Sequence, residues 1–159
     1  HLQDPLADLI LKGEVPDDED FTIPLGVADV KREGRDCTIV ARSMTVPLAL
    51  QAAEKIQEEF DVSCEVIDPR TIKPLDIDTI VNSIKKTNRL VIAHEDQLTC
   101  GFGAELAARI GEECFLHLDA PVVRVAALDT PVAYAPGLEE VILPQSSHVL
   151  AAIRKVAKF

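Results

Sequence analysis

The sequence predicts an α/β fold, a three-layer αβα arrangement around a mainly parallel sheet of about five strands. Three observations carry this reading. Short apolar, β-branched runs recur at residues 37–41, 62–67, 90–93 and 122–126. The segments between them place apolar residues at helical spacing. Strands this uniformly apolar are buried on both faces, as in a parallel sheet covered by helices. The 159 residues suit one domain, and 47% apolar with 27% charged residues is a globular composition.

Taken in order, residues 1–35 are expected to form a linker or extended arm that ends in an edge strand. An apolar patch (Leu6, Leu9, Ile10, Leu11) is followed by Gly13-Glu14-Val15-Pro16 and the acid run Asp17-Asp18-Glu19-Asp20. Phe21-Thr22-Ile23-Pro24-Leu25-Gly26 then reads as an edge strand limited by its proline. The regular domain is expected over 36–159. Its first helix follows from Ala49, Ala53, Ile56 and Phe60, with Pro47 tolerated in the opening turn. The second follows from Ile77, Ile80, Val81 and Ile84, with Asp76 as its cap. A third is expected over 103–110 on Ala104, Ala107 and Ala108, closed by Gly111. The last has Val149, Ala152, Ile153 and Val156 on one face, with Ser146 or Ser147 as its cap.

The net charge of −11 disfavours phosphate backbones and anionic lipid surfaces, so nucleic acid and membrane are excluded as expected partners; a basic protein module is favoured. No apolar run approaches the roughly 20 residues that cross a bilayer, and the first residues lack the pattern of a signal peptide, so an intracellular, unsecreted protein is expected. A chain that opens on His1 is expected to be a processed form or a piece of something longer. Cys37, Cys64, Cys100 and Cys114 lie 27, 36 and 14 residues apart without a CxxC pair or a zinc-type Cys/His spacing, and read as buried, reduced thiols.

Open parallel sheets bind ligands beyond the carboxyl ends of their strands. There, His94-Glu95-Asp96 precedes Thr99-Cys100-Gly101-Phe102-Gly103, which invites an acid–base pair with a Cys100 nucleophile, or an anion held by the turn. Adjacent strand residues point to opposite faces, however, and Gly-Phe-Gly lacks the rest of a dinucleotide or P-loop fingerprint. Turn formation is the expected role. Arg70, within Asp68-Pro69-Arg70-Thr71, is expected to form an internal ion pair rather than a carboxylate receptor. Asp119 and Asp129 taken alone read as turn residues, and the four His show no metal-like spacing. Chemistry alone therefore predicts no catalytic, cofactor-binding or metal-binding residue.

Collinear motifs change what can be expected. They are Gly13-Glu14-Val15-Pro16, Phe21-Thr22-Ile23-Pro24-Leu25-Gly26 and Ala28-Asp29-Val30-Lys31-Arg32-Glu33-Gly34-Arg35-Asp36; then Ile67-Asp68-Pro69-Arg70-Thr71-Ile72-Lys73-Pro74-Leu75-Asp76; then His94-Glu95, Thr99, Gly101-Phe102-Gly103-Ala104-Glu105, Leu118-Asp119-Ala120-Pro121, Arg124-Val125 and Asp129-Thr130-Pro131. Over residues 13–159 the chain resembles the C-terminal, transketolase C-terminal-like domain of the beta subunit of thiamine-dependent 2-oxo acid dehydrogenases. Ala41-Arg42-Ser43-Met44 departs from that pattern, standing where the family often has an aromatic–glycine pair, and Pro69 stands where Leu is usual.

The resemblance implies thiamine diphosphate and Mg²⁺ for the whole enzyme, held between the alpha subunit and the N-terminal domain of beta, with none bound to this domain. It implies oxidative decarboxylation of a 2-oxo acid, pyruvate or branched-chain, with acyl transfer to lipoamide. It implies an α2β2 heterotetramer in which this domain packs on the second beta subunit and docks the basic peripheral-subunit-binding domain of a dihydrolipoyl acyltransferase, in bacterial cytoplasm or mitochondrial matrix. Asp119 and the terminal carboxylate of Phe159 are the docking residues it implies. Residues 112–116 resemble branched-chain members more than pyruvate ones. The alternatives are another thiamine enzyme (acetoin dehydrogenase, deoxyxylulose phosphate synthase, transketolase) and a free-standing flavodoxin-like domain that binds a nucleotide or phosphate at residues 100–103.

Overall fold

The computed structural model describes Asp20 and residues 22–159. Five strands, β1 (Asp29–Arg32), β2 (Cys37–Ala41), β3 (Cys64–Asp68), β4 (Leu90–Gln97) and β5 (Val123–Ala127), form one sheet in the order β1-β3-β2-β4-β5. All pairs are parallel except β1 with β3, which is antiparallel. Five α-helices accompany them: α1 (Thr45–Phe60), α2 (Ile77–Thr87), α3 (Phe102–Cys114), α4 (Pro136–Ile142) and α5 (Ser146–Val156). A short 3-10 turn over Phe115–His117 follows α3.

The two-residue period of the strands divides the interior into two cores. Cys37, Ile39 and Ala41 of β2 and Val91 and Ala93 of β4 pack with α1 and α5. Val40 of β2 and Leu90 and Ile92 of β4 pack with Ile80 and Ile84 of α2 and Leu106, Ile110 and Cys114 of α3. Ala49, Ala52 and Ala53 on α1 let α5 approach closely with Val149, Ile153 and Val156. On the α2 face, Thr38 Oγ1 lies 2.6 Å from Ser83 Oγ and 2.7 Å from Thr87 Oγ1, so buried hydroxyls satisfy one another.

The three-layer expectation holds, with corrections at the element ends. The edge strand is Asp29–Arg32, whereas residues 22–26 are unpaired; Phe21 and residues 1–19, which carry the apolar patch and most of the acid run, lie outside the described residues. Pro24 lacks a donor, and Gly26 turns the chain at φ 74° while its N–H donates to Thr71 Oγ1 at 3.0 Å. A Cβ on Gly26 would also meet Pro74 Cγ at 2.9 Å.

Gly111 does not close α3, because the apolar stripe continues through Ile110 to the buried Cys114 and outweighs the weak helix propensity of one glycine. Phe60 ends α1 60% exposed, with the Arg154 guanidinium 5.0 Å from its ring centroid, instead of joining the core. Ser146 and Ser147 are the first residues of α5, and the cap is Gln145, whose N–H donates to His148 Nδ1 at 3.2 Å. Helix α4 was not expected. Asp76 does cap α2, accepting from the Thr79 N–H at 3.1 Å.

Candidate functional site

The connections reverse direction between β2 and β4: β2 leads through α1 to β3 on one side, and β4 leads through α3 to β5 on the other. Because α1 and α3 belong to opposite cores, the carboxyl ends of β2 and β4 open into the crevice where such sheets take ligands. The residues there are Arg42, His94, Asp96 and Phe102. Arg42 Nη2 reaches Asp96 Oδ1 at 3.4 Å, and its guanidinium carbon lies 5.6 Å from the Phe102 ring centroid.

His94 is wholly buried under the start of α3, and neither ring nitrogen has a hydrogen-bond partner. A Cβ on Gly103 would run into its Nε2, so glycine there is a requirement of the imidazole. Burial holds the His94 pKa below its ordinary value; Asp96 opposes that shift, while Arg42 and Arg124 add to it. A neutral, enclosed imidazole under a helix is a packing group. Cys37, Cys64 and Cys114 are buried as expected, but Cys100 is exposed, because at φ 60° it belongs to the turn that leads into α3 and not to a packed face. Asp129 accepts from the Thr99 N–H at 3.0 Å and the Thr99 hydroxyl at 2.6 Å, which lowers its pKa. Glu95 is half-buried, one strand position along.

Arg70 forms the internal ion pair expected of it, with Asp29 Oδ2 at 2.7 Å. Among the described residues no group of three or more His, Cys, Asp or Glu stands close enough to hold a metal ion. No described helix is long and apolar enough to cross a membrane.

The other end of the sheet gathers the two docking candidates. Asp119 is exposed, and its N–H donates to the Asn88 carbonyl at 2.9 Å. Asn88 closes α2 in the left-handed conformation, and its side-chain amide donates to the His117 carbonyl at 2.8 Å. The next residue, Arg89, donates through Nε to the Val156 carbonyl at 3.2 Å, and the Phe159 N–H also points back to Val156. The dipeptide Asn88-Arg89 thus ties the Asp119 turn and the last turn of α5 to the start of β4. Phe159 is 65% exposed, and Phe115 and Leu116 stand out from the adjacent turn at 69% and 93%.

A third surface was missed in the sequence. From Leu128 to Val141 the chain exposes Val132 (86%), Tyr134 (100%), Leu138 (58%) and Val141 (65%), and α4 buries no residue at all. Leu138, Val141 and Ile142 at i, i+3, i+4 behind Pro136 were the available signal.

Known proteins with this pattern can now be set beside it. The "Transketolase, C-terminal domain" family profile matches residues 26–149. The pyruvate dehydrogenase E1 component subunit beta of Rickettsia felis is 48% identical over 137 residues, 86% of this chain and 42% of that protein. The 2-oxoisovalerate dehydrogenase subunit beta of Bacillus subtilis is 41% identical over 151 residues, 94% of this chain and 46% of that protein. A solved split-gene transketolase, described as an inactive beta4 tetramer, superposes with a TM-score of 0.74 at 30% identity, covering 87% of this chain and 44% of its own. The chain therefore spans less than half the length of these curated relatives. With a profile match across most of its length and a superposition at a TM-score of 0.74 on a solved transketolase chain, the chain belongs to the transketolase C-terminal domain family.

Proposed function

We propose that this chain is the C-terminal assembly and docking domain of the beta subunit of a 2-oxo acid dehydrogenase, an enzyme of bacterial cytoplasm or mitochondrial matrix. The complete enzyme would decarboxylate pyruvate or a branched-chain 2-oxo acid oxidatively and pass the acyl group to lipoamide. Thiamine diphosphate and Mg²⁺ would serve that chemistry. We assign their site to other parts of the enzyme; among the described residues no group of three or more His, Cys, Asp or Glu stands close enough to hold a metal ion.

The observation that carries the proposal is the division of the molecule's surface. One end places Asp119 and the chain terminus on a shared scaffold, in a chain of net charge −11 that suits a basic partner. A separate stretch, residues 128–141, leaves large apolar side chains uncovered, as surfaces destined for another subunit do. The split-gene relative is described as a beta4 tetramer, which supports self-association for this chain as well. We assign the apolar stretch to the second beta subunit and neighbouring alpha subunit of an α2β2 assembly, and the Asp119 end to the peripheral-subunit-binding domain of the acyltransferase.

Titration of the purified chain with a basic peripheral-subunit-binding domain, at low and moderate salt, tests the docking half. Saturable binding that weakens as salt rises is expected. No binding at either salt would contradict it. Saturable uptake of a flavin or nucleotide at residues 100–103, with no assembly, would favour the free-standing alternative.

A further inference from the structure

A cleft of about 950 Å³ at the carboxyl ends of β2 and β3 has no place in the assembly reading, and its charge is lopsided. Among the described residues Lys31, Arg42, Arg70 and Lys73 line it, against Asp68 as the one lining acid. The neighbouring carboxylates neutralise these cations incompletely. Asp29 meets both Lys31 (2.5 Å) and Arg70 (2.7 Å) through the same oxygen, Oδ2. Asp68 Oδ1 is engaged by the Arg70 N–H at 2.9 Å. Arg42 touches Asp96 through one nitrogen at 3.4 Å, and its Nε is buried without a hydrogen-bond partner. Lys73 is exposed and has no ion pair among the described residues. Among the described residues, four cations thus face three carboxylates, Asp29, Asp68 and Asp96, an excess of one positive charge in a chain of net charge −11.

Two further features set this cleft apart. Ser43 (φ 54°) and Arg70 (φ 55°), both in its wall, are non-glycine residues held in the left-handed region. Such conformations cost free energy and persist where the surroundings enforce them, often at ligand sites. On the remaining wall, Ile23 (54% exposed), Leu25 (76%) and Ile72 (51%) present apolar surface beside Pro24 and Pro69. A guanidinium with an unmet donor, an unpaired ammonium and an apolar wall together suit an organic molecule that carries a dianionic group. A phosphoryl group has the charge to engage two cations at once, where a single carboxylate has half of it.

We propose that this cleft binds a small phosphorylated organic molecule, with Arg42 and Lys73 on the phosphoryl group and Ile23, Leu25 and Ile72 against the apolar part. The site lies beside the reversal of strand connections, where an open sheet offers a ligand the ends of two strands.

Titration calorimetry on the purified chain at low salt, with phenyl phosphate, inorganic phosphate and acetate as probes, tests it. Phenyl phosphate is expected to bind saturably, one per chain, more tightly than inorganic phosphate, with acetate the weakest. Lys73→Gln is expected to weaken phenyl phosphate about tenfold, and Arg42→Gln at least as much. Because Lys73 is exposed, its variant is also expected to unfold at the wild-type temperature and to keep the wild-type molecular mass, which separates this site from assembly. Absence of saturable binding, or binding unaltered by Lys73→Gln, would overturn the proposal. Inorganic phosphate binding as tightly as phenyl phosphate would overturn its organic part and assign the cleft to free phosphate. Acetate binding as tightly would overturn its phosphoryl part.

Discussion

Helices α4 and α5 follow one another in the chain with three residues between them, yet they meet opposite fates. α5 buries Val149, Leu150, Ala152, Ile153 and Val156 against α1 and the sheet. α4 buries nothing, although Leu138 and Val141 are as apolar as anything on α5. Apolar side chains at helical spacing thus serve two purposes here. On α5 they close this domain's own core. On α4 they wait for a surface that the chain does not itself supply.

The largest effect expected from this contrast is on stability. Ile153→Ala removes a fully buried side chain from between α1 and β4 and is expected to cost about 2–5 kcal/mol, read as a lower denaturant midpoint. Leu138→Ala on α4, compared at concentrations low enough to dissociate any assembly, is expected to stay within about 0.5 kcal/mol of the original. Equal losses at the two positions would erase the distinction.

A smaller effect is expected at the docking end. Asp119→Asn is expected to weaken binding of the basic subunit-binding domain about five- to tenfold at low salt and to flatten its salt dependence. In the complete enzyme, decarboxylation with an artificial electron acceptor is expected to be unchanged. Unaltered docking would remove Asp119 from the interface, and lost decarboxylation would contradict the separation of assembly from catalysis.

The subtlest effect concerns the core side alone. Burial depresses the His94 pKa, so the folded domain favours neutral imidazole while the unfolded chain titrates near ~6.5. Stability from this group is therefore complete above about pH 6.5 and declines as pH falls from there toward the lower folded value. Denaturant midpoints across that window are expected to fall for the wild type and to fall less for His94→Leu. Parallel curves for the two would show that His94 carries no linkage.

Strands β2 to β5 and four of the five α-helices were legible in the sequence because their apolar residues face a core within the chain. The periodicities of β2, α1, α2 and α5 report contacts the molecule makes with itself. Errors fell where another interaction outweighed the local signal. Gly111 reads as a helix end until the buried Cys114 carries the stripe one turn further. Residues 22–26 read as a strand until Gly26 turns and bonds Thr71. Helix α4 went unread because Pro136 and Gly137 look like a loop, and its apolar face has no counterpart in the chain to give it meaning. Asp119 and Phe159 were found only through resemblance; no spacing in the sequence reveals that Asn88 and Arg89 bring them to one end. The basic cleft was illegible for a similar reason, since Arg42 and Lys73 lie 31 positions apart and meet only at the carboxyl ends of neighbouring strands.

The central claim is that residues 128–141 form an assembly surface. Light scattering across a range of concentrations, on the wild-type chain and on a Leu138→Ser, Val141→Ser double variant that leaves the charge unchanged, tests it most directly. The account predicts a dimer or larger assembly for the wild type and, for the variant, a monomer that keeps the wild-type circular dichroism and so remains folded. A wild-type chain that remains monomeric at every concentration, or a variant that assembles as well as the wild type, would contradict it.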